Sequence, residues 1–192
     1  MSGHVMASGA VQKKKIPSPI LGMLLFVFTE IMFFSGLISA YFVIRSRSNF
    51  WVPPEGVRLP VLSTAFNTFA LFLSGVLLYY AYRLFDMKGK REKALFYMFI
   101  SFLLGSFFVG FQGFEWVRLF AYGMTLKSNI FSSVFYLLIG SHAAHALSGA
   151  LAILFVWKGF RRKYQKDVMI ALMMFWFMVV GIWPVLYGLL YF

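Results

Sequence analysis

The stretch LLFVFTEIMFFSG, residues 24–36, places a single carboxylate, Glu30, in the middle of an otherwise apolar run. The run extends over about residues 18–44, which is long enough to cross a membrane, since roughly 30 Å of hydrocarbon takes about 20 helical residues. Lipid offers the backbone no hydrogen-bond partners, so a segment of this kind is predicted to be an α-helix.

Four more segments of the chain have the same character, at about residues 61–83, 94–117, 130–157 and 168–190. The 192 residues are 61% hydrophobic and 12% charged, whereas a soluble domain has about 25% charged residues. This composition predicts an all-α fold, a polytopic bundle of five transmembrane helices over residues 16–192, with a mobile cytoplasmic tail at residues 1–15. The absence of cysteine excludes disulfides and thiolate metal sites.

The net charge of +12 is explained by membrane topology rather than by nucleic-acid binding. Thirteen of the 18 lysines and arginines precede the first span, separate the second from the third, or separate the fourth from the fifth. The positive-inside rule then predicts a cytoplasmic N-terminus and an external C-terminus.

Ionisable groups inside the spans are the first candidates for function, because each is costly to insert. There are four: Glu30, Glu115, His142 and His145. Inserting an ionised carboxylate costs about 3 kcal/mol and neutralising a glutamate at pH 7 costs about 4 kcal/mol, so a neutral, hydrogen-bonded Glu30 that faces protein is a reasonable ground state.

His142 and His145 lie three residues apart and therefore share one face of a helix, at about the depth of Glu30. We expect a buried polar network that includes a contact between Glu30 and a histidine, joining spans one and four. A metal site is the alternative, but it would need Glu30 or a partner chain to supply further ligands.

The other polar and small residues predict structural roles. Glu115 lies near the outer end of span three, where pairing with Arg118 or with water is expected, and Trp51 is placed for the membrane interface. Small residues at intervals of four predict close helix contacts in two spans, at positions 144, 148 and 152 and at positions 106 and 110.

Several stretches taken together resemble subunit III of the haem–copper oxidases, in a short five-span form. They occur in the family's order and cover most of residues 20–192. They are residues 29–36, 51–56, 62–64, 112–116 and 140–149.

The resemblance implies an accessory subunit of a respiratory terminal oxidase, multi-pass in a prokaryotic plasma membrane, with no catalytic residues. It implies no metal or cofactor in this chain, haem and copper in a partner catalytic subunit, bound structural phospholipid, support of proton uptake, and membership of a larger complex with other oxidase subunits, extending to a respiratory supercomplex. The candidate site residues are the buried polar or proton-related Glu30, His142 and His145, the interface or loop anchors Trp51, Glu115, Trp116 and Arg118, and the lipid-headgroup ligands Lys158, Arg161 and Arg162. The basic residue that the family has at the inner end of span four falls at Gly159, next to Lys158.

The chain also departs from that family. Longer members have two further spans before the first one here, and Phe177 and Val180 stand where the family has a histidine and an acid. Two functional alternatives therefore stay open: a small proton-coupled transporter that uses Glu30, and an accessory subunit of a nitric oxide reductase.

Overall fold

The computed structural model describes residues 17–48, 51–54 and 56–192, so the tail predicted at residues 1–15 lies outside the described residues. It contains five helices, each long and apolar enough to cross a membrane: α1 (Ser18–Arg47), α2 (Val61–Phe85), α3 (Arg91–Ala121), α4 (Ile130–Phe160) and α5 (Lys166–Tyr191). No strand occurs in the described residues. The predicted all-α fold of five membrane-spanning helices is confirmed, whereas the direction of insertion stays a prediction.

The helices extend up to four residues beyond the predicted spans, because a helix can continue into the polar region after the apolar run has ended. Local sequence sets several of the ends. Pro17 precedes α1, where a missing N–H costs nothing. Asn129 caps α4, its side chain accepting a 2.8 Å hydrogen bond from the backbone N–H of Ser132. Gly123 follows α3 with a φ of 86°, a conformation that favours glycine.

Helices α2, α3, α4 and α5 form a closed ring in which each packs against the next and α5 returns to α2. Helix α1 lies outside this ring, packed along α5 and touching α4. Only two of its 30 residues, Phe34 and Tyr41, are buried. We call the end of the bundle formed by the α2–α3 and α4–α5 connections the basic end, and the opposite end the loop end.

Trp176 of α5 occupies the centre of the ring, and two glycines leave room for it. A Cβ added at Gly105 of α3 would lie 2.8 Å from the indole, and one at Gly149 of α4 would lie 2.6 Å from it. The indole nitrogen donates to Ser74 Oγ on α2 at 3.1 Å. One tryptophan therefore connects all four helices of the ring.

The small residues predicted to mediate helix contacts mostly lie elsewhere. Ala144, Ser148 and Gly110 are exposed on the surface of the chain, and no atom lies within 4 Å of a Cβ built at Gly110. That prediction is wrong for these three positions. The spacing of four identifies a stripe on a helix, but it does not indicate whether the stripe faces the ring or the lipid.

Polar contacts join the helices at the basic end. Arg91 donates to the backbone carbonyl of Phe160 at 2.6 Å, joining α3 to α4, and Lys166 pairs with Asp86 at 2.8 Å. Between these contacts the ring of Tyr164 stacks on Phe85, with 4.4 Å between centroids. Burial raises the pKa of the Tyr164 phenol to about 12, which disfavours a charged phenolate at this end still further.

Candidate functional site

The structure brings Glu30 of α1 against His145 of α4. Glu30 Oε2 lies 2.8 Å from His145 Nε2, and the two side chains are 18% and 17% exposed. Because α1 touches α4 over only a short stretch, this hydrogen bond is the main polar link between the two helices among the described residues. The Glu30 carboxyl, although it lies within an apolar run, thus has a hydrogen-bond partner.

The hydrogen bonds of His145 fix how many protons the pair holds. Its Nδ1 lies 2.7 Å from the backbone carbonyl of Ser141, which can only accept, so Nδ1 carries a hydrogen. One further proton is then shared between Nε2 and Glu30 Oε2. With that proton on the carboxyl the pair is neutral, and with it on the imidazole the pair is an ion pair.

Aromatic rings surround the pair and limit its contact with water. Phe34 is buried beside His145, with 5.1 Å between ring centroids, and Phe33 stacks on the same imidazole at 6.1 Å. Phe175 of α5 lies on a third side, with its centroid 6.5 Å away. An apolar surrounding of this kind disfavours separated charges, so it favours the proton staying within the pair.

His142 does not join Glu30. It is buried one turn away, and its Nε2 donates to the backbone carbonyl of Val179 on α5 at 3.0 Å. Pro184 lies in the same part of α5 and has no N–H to donate to the carbonyl of Val180, so α5 lacks one backbone hydrogen bond next to this contact. The two histidines therefore face different helices: His145 binds α1 and His142 binds α5.

Glu115 lies at the loop end of the ring in a different site. Its side chain is 3% exposed and lies 3.5 Å from Arg118, which is 49% exposed. The nearer partner is Ser63 on α2, whose hydroxyl donates to Glu115 Oε1 at 3.2 Å. The expected pairing with Arg118 is therefore present as a long contact, and α2 supplies a second partner.

Neutral polar side chains continue inward from Glu115. We call this group the polar column; its members lie on α2, α3 and α5 and are Ser63, Thr64, Asn67, Gln112, Glu115 and Tyr191. The search of the sequence for ionisable groups missed all of these except Glu115. The signal was available in the spacing of Ser63, Thr64 and Asn67, which places three polar side chains on one face of a membrane helix.

The two predicted tryptophan anchors pack between helices at the loop end. Trp51 lies between Tyr41 of α1 and Phe131 of α4, with ring centroids 5.3 Å and 5.6 Å away. Trp116 of α3 packs edge to face on Tyr136 of α4 at 6.0 Å.

Lys158, Arg161 and Arg162 line a cleft of about 520 Å³ at the basic end, together with Trp157. The Arg161 guanidinium lies 5.3 Å from the Trp157 ring centroid. Trp157 and Arg161 also line an adjoining, mostly apolar groove of about 360 Å³ between α3 and α4, with Glu92, Leu95, Phe96 and Phe99. A basic cleft that continues into an apolar groove has the polarity profile of a phospholipid.

Phe177 and Val180 line an apolar groove of about 280 Å³ beside Gly75 of α2. The surroundings of Phe177 and Val180 are therefore apolar, not polar. In the described residues, no three histidine or acidic side chains come together as a metal site would require.

Comparisons with known proteins agree over almost the whole chain. The family model for cytochrome c oxidase subunit III matches residues 8–192. The chain is 32% identical over 180 residues to cytochrome c oxidase subunit 3 of Thermostichus vulcanus, covering 90% of this chain and 86% of the relative. It is 31% identical over 182 residues, with the same coverage, to a probable cytochrome c oxidase subunit 3 of Nocardia farcinica.

Proposed function

Because this chain belongs to the cytochrome c oxidase subunit III family, we propose that it is a non-catalytic accessory subunit of a respiratory terminal oxidase. It packs beside a catalytic subunit that carries haem and copper, stabilises that subunit, binds phospholipid and supports proton uptake. The family match over residues 8–192 carries the proposal. The proposed location is a prokaryotic plasma membrane, with the N-terminus in the cytoplasm.

Purification of the tagged chain from its native membrane in a mild detergent tests this proposal. We expect a haem-containing subunit to co-purify in a one-to-one ratio, with a haem absorption spectrum and oxygen consumption. A pure, colourless homo-oligomer would overturn it. Nitric oxide reduction in place of oxygen reduction would assign the chain to a nitric oxide reductase, and substrate-dependent proton flux by the chain alone in liposomes would make it a transporter.

The basic cleft supports the lipid-binding part of the proposal. Its cations can bind a phosphate through charge-assisted hydrogen bonds, and the apolar groove that begins at Trp157 runs along α3 and α4 as an acyl chain would. The Trp157 indole nitrogen donates to the backbone carbonyl of Leu95 at 3.0 Å, which holds the junction of cleft and groove in place.

Replacing Lys158, Arg161 and Arg162 together by alanine is expected to weaken retention of an anionic phospholipid by about tenfold or more, equivalent to one lost charge-assisted hydrogen bond. Native mass spectrometry of the complex measures the bound lipid. A variant with alanine at Lys88, Lys90 and Lys93 is the matched control, since it removes three charges from the same end. Equal lipid loss in both variants would mean that the cleft attracts lipid only through its general charge.

A further inference from the structure

The polar column contains three enclosed oxygens that have no hydrogen-bond partner in the described part of the chain. They belong to Thr64, Asn67 and Gln112, whose exposures are 0%, 0% and 1%, and the atoms are Thr64 Oγ1, Asn67 Oδ1 and Gln112 Oε1. A buried acceptor without a donor costs more than an ordinary hydrogen bond gains. Such groups in proteins are normally satisfied, often by ordered water.

The two amide groups are oriented by the bonds that their nitrogens make. Asn67 Nδ2 donates to the backbone carbonyl of Phe108 at 3.1 Å, and Gln112 Nε2 points to the Tyr191 hydroxyl at 3.4 Å. Turning the Asn67 amide over would set its oxygen against the Phe108 carbonyl, which can only accept. A turned Gln112 amide would instead accept from the Tyr191 hydroxyl, so its orientation is less strictly fixed. The Asn67 oxygen therefore requires a donor that the neighbouring side chains do not supply, and the Gln112 oxygen requires one in the orientation seen here.

The unpartnered oxygens belong to one site because their helices bring them together. Thr64 and Asn67 lie three residues apart on α2, and Gln112 and Glu115 lie three apart on α3, so each pair shares a face. The Tyr191 hydroxyl on α5 lies 3.4 Å from Gln112 Nε2 and so borders the same site.

Burial in this region increases from the loop end inward. Arg118 is exposed, Ser63 is partly buried, Glu115 is nearly enclosed, and Thr64 and Asn67 are fully enclosed. Asn67 lies about 9 Å inside the start of α2, at 1.5 Å per residue. A ligand that reaches the column therefore enters from the aqueous phase at the loop end.

We propose that the polar column binds internal water molecules, which donate to the Asn67 and Gln112 amide oxygens and hydrogen-bond Thr64. The ligand must be small and must offer several donors. It must also be uncharged, because the Arg118 guanidinium at the mouth repels cations and already neutralises the charge of Glu115. Water meets all three conditions, and it connects the nearly enclosed Glu115 to the aqueous phase at the loop end.

X-ray radiolytic labelling of the purified full chain tests this proposal, because bound water generates hydroxyl radicals beside it. Tyr191 and Tyr136 form a matched pair, since both are 7% exposed and the Tyr136 hydroxyl is satisfied by the carbonyl of Met124 at 2.7 Å. We expect Tyr191 to be labelled several-fold faster than Tyr136.

Variants then show which side chains bind the water. Thr64→Val and Asn67→Leu remove its partners and are expected to lower Tyr191 labelling toward the Tyr136 rate, while the buried but hydrogen-bonded Ser101, changed to alanine, leaves it unchanged. The comparison of Tyr191 with Tyr136 in the parent chain needs no variant, so the test survives a variant that fails to fold. Equal labelling of Tyr191 and Tyr136 in the parent chain would overturn the proposal. So would a thermal stabilisation by sodium or calcium that Asn67→Leu abolishes, because the occupant would then be a cation.

Discussion

Replacing Gly149 by alanine is expected to destabilise the bundle by about 1–3 kcal/mol, the range for an overpacked core. The added methyl carbon would lie 2.6 Å from the Trp176 ring and 3.3 Å from Phe175. The indole has no free direction in which to move, since its nitrogen bonds Ser74 on α2 and its opposite edge lies against Gly105 on α3, where a Cβ would lie 2.8 Å away.

Thermal unfolding of the purified chain in detergent, followed by tryptophan fluorescence, measures this loss. Gly110→Ala on α3 is the control, because a Cβ there meets no atom within 4 Å. A helical glycine replaced by alanine without a clash gains about 0.5–1 kcal/mol. If the two variants unfold at the same temperature, Trp176 is not the rigid centre of the ring.

The second large effect is expected at the polar link between α1 and α4. Replacing His145 by alanine leaves the Glu30 carboxyl largely enclosed without its partner, and an enclosed neutral polar group that loses its partner costs about 1–3 kcal/mol. Replacing Glu30 by glutamine is expected to cost less than about 1 kcal/mol, because an amide N–H can still donate to His145 Nε2. The two costs differ because glutamine keeps a hydrogen bond to His145, whereas alanine at position 145 removes it.

Disulfide cross-linking of α1 to α4 is the most direct measurement of whether α1 is docked. The sequence contains no cysteine, so only the introduced cysteines can react. A pair of cysteines introduced at facing positions of α1 and α4 should cross-link in the parent chain and in Glu30→Gln, and much less in His145→Ala. Glu92→Gln, on an exposed turn of α3, is the control for loss of a carboxylate. Similar losses of cross-linking in Glu30→Gln and His145→Ala would contradict the shared-proton arrangement.

Glu30→Gln also separates packing from proton chemistry. The glutamine keeps the hydrogen bond to His145 but cannot release a proton, so a role of the pair in proton uptake predicts slower turnover of the intact oxidase with α1 still docked. Unchanged turnover would leave Glu30 with a structural role. Asp167→Asn, in the first turn of α5, provides the comparison for turnover, because Glu92 lines the groove proposed to hold lipid.

The features that the sequence predicted best were those for which an unsatisfied polar group in lipid would cost much free energy. Five long apolar runs predicted five helices, and the cost of an isolated carboxylate predicted that Glu30 would need a partner, which His145 provides. The sequence did not distinguish His145 from His142, because both lie on the same side of α4. Their separate partners depend on where α1 and α5 pack, which spacing within one helix does not encode.

The buried side of each helix was hard to predict, and the reason is physical. A helix in water must hide its apolar side, so its pattern shows which side is buried, whereas a membrane helix can be apolar all round. The exposed Ala144 and Ser148 and the tightly packed Gly149 therefore look alike in the sequence. The neutral members of the polar column were missed because amides and hydroxyls carry no charge to draw attention to them.

The position of α1 has a consequence for biosynthesis. Among the five described helices α1 is made first, yet the helix along which it packs, α5, is made after the other four. Until α5 has been inserted, α1 can be held mainly by the bond between Glu30 and His145. Full docking of α1 therefore has to wait for α5, and that one polar bond has its greatest importance during this interval.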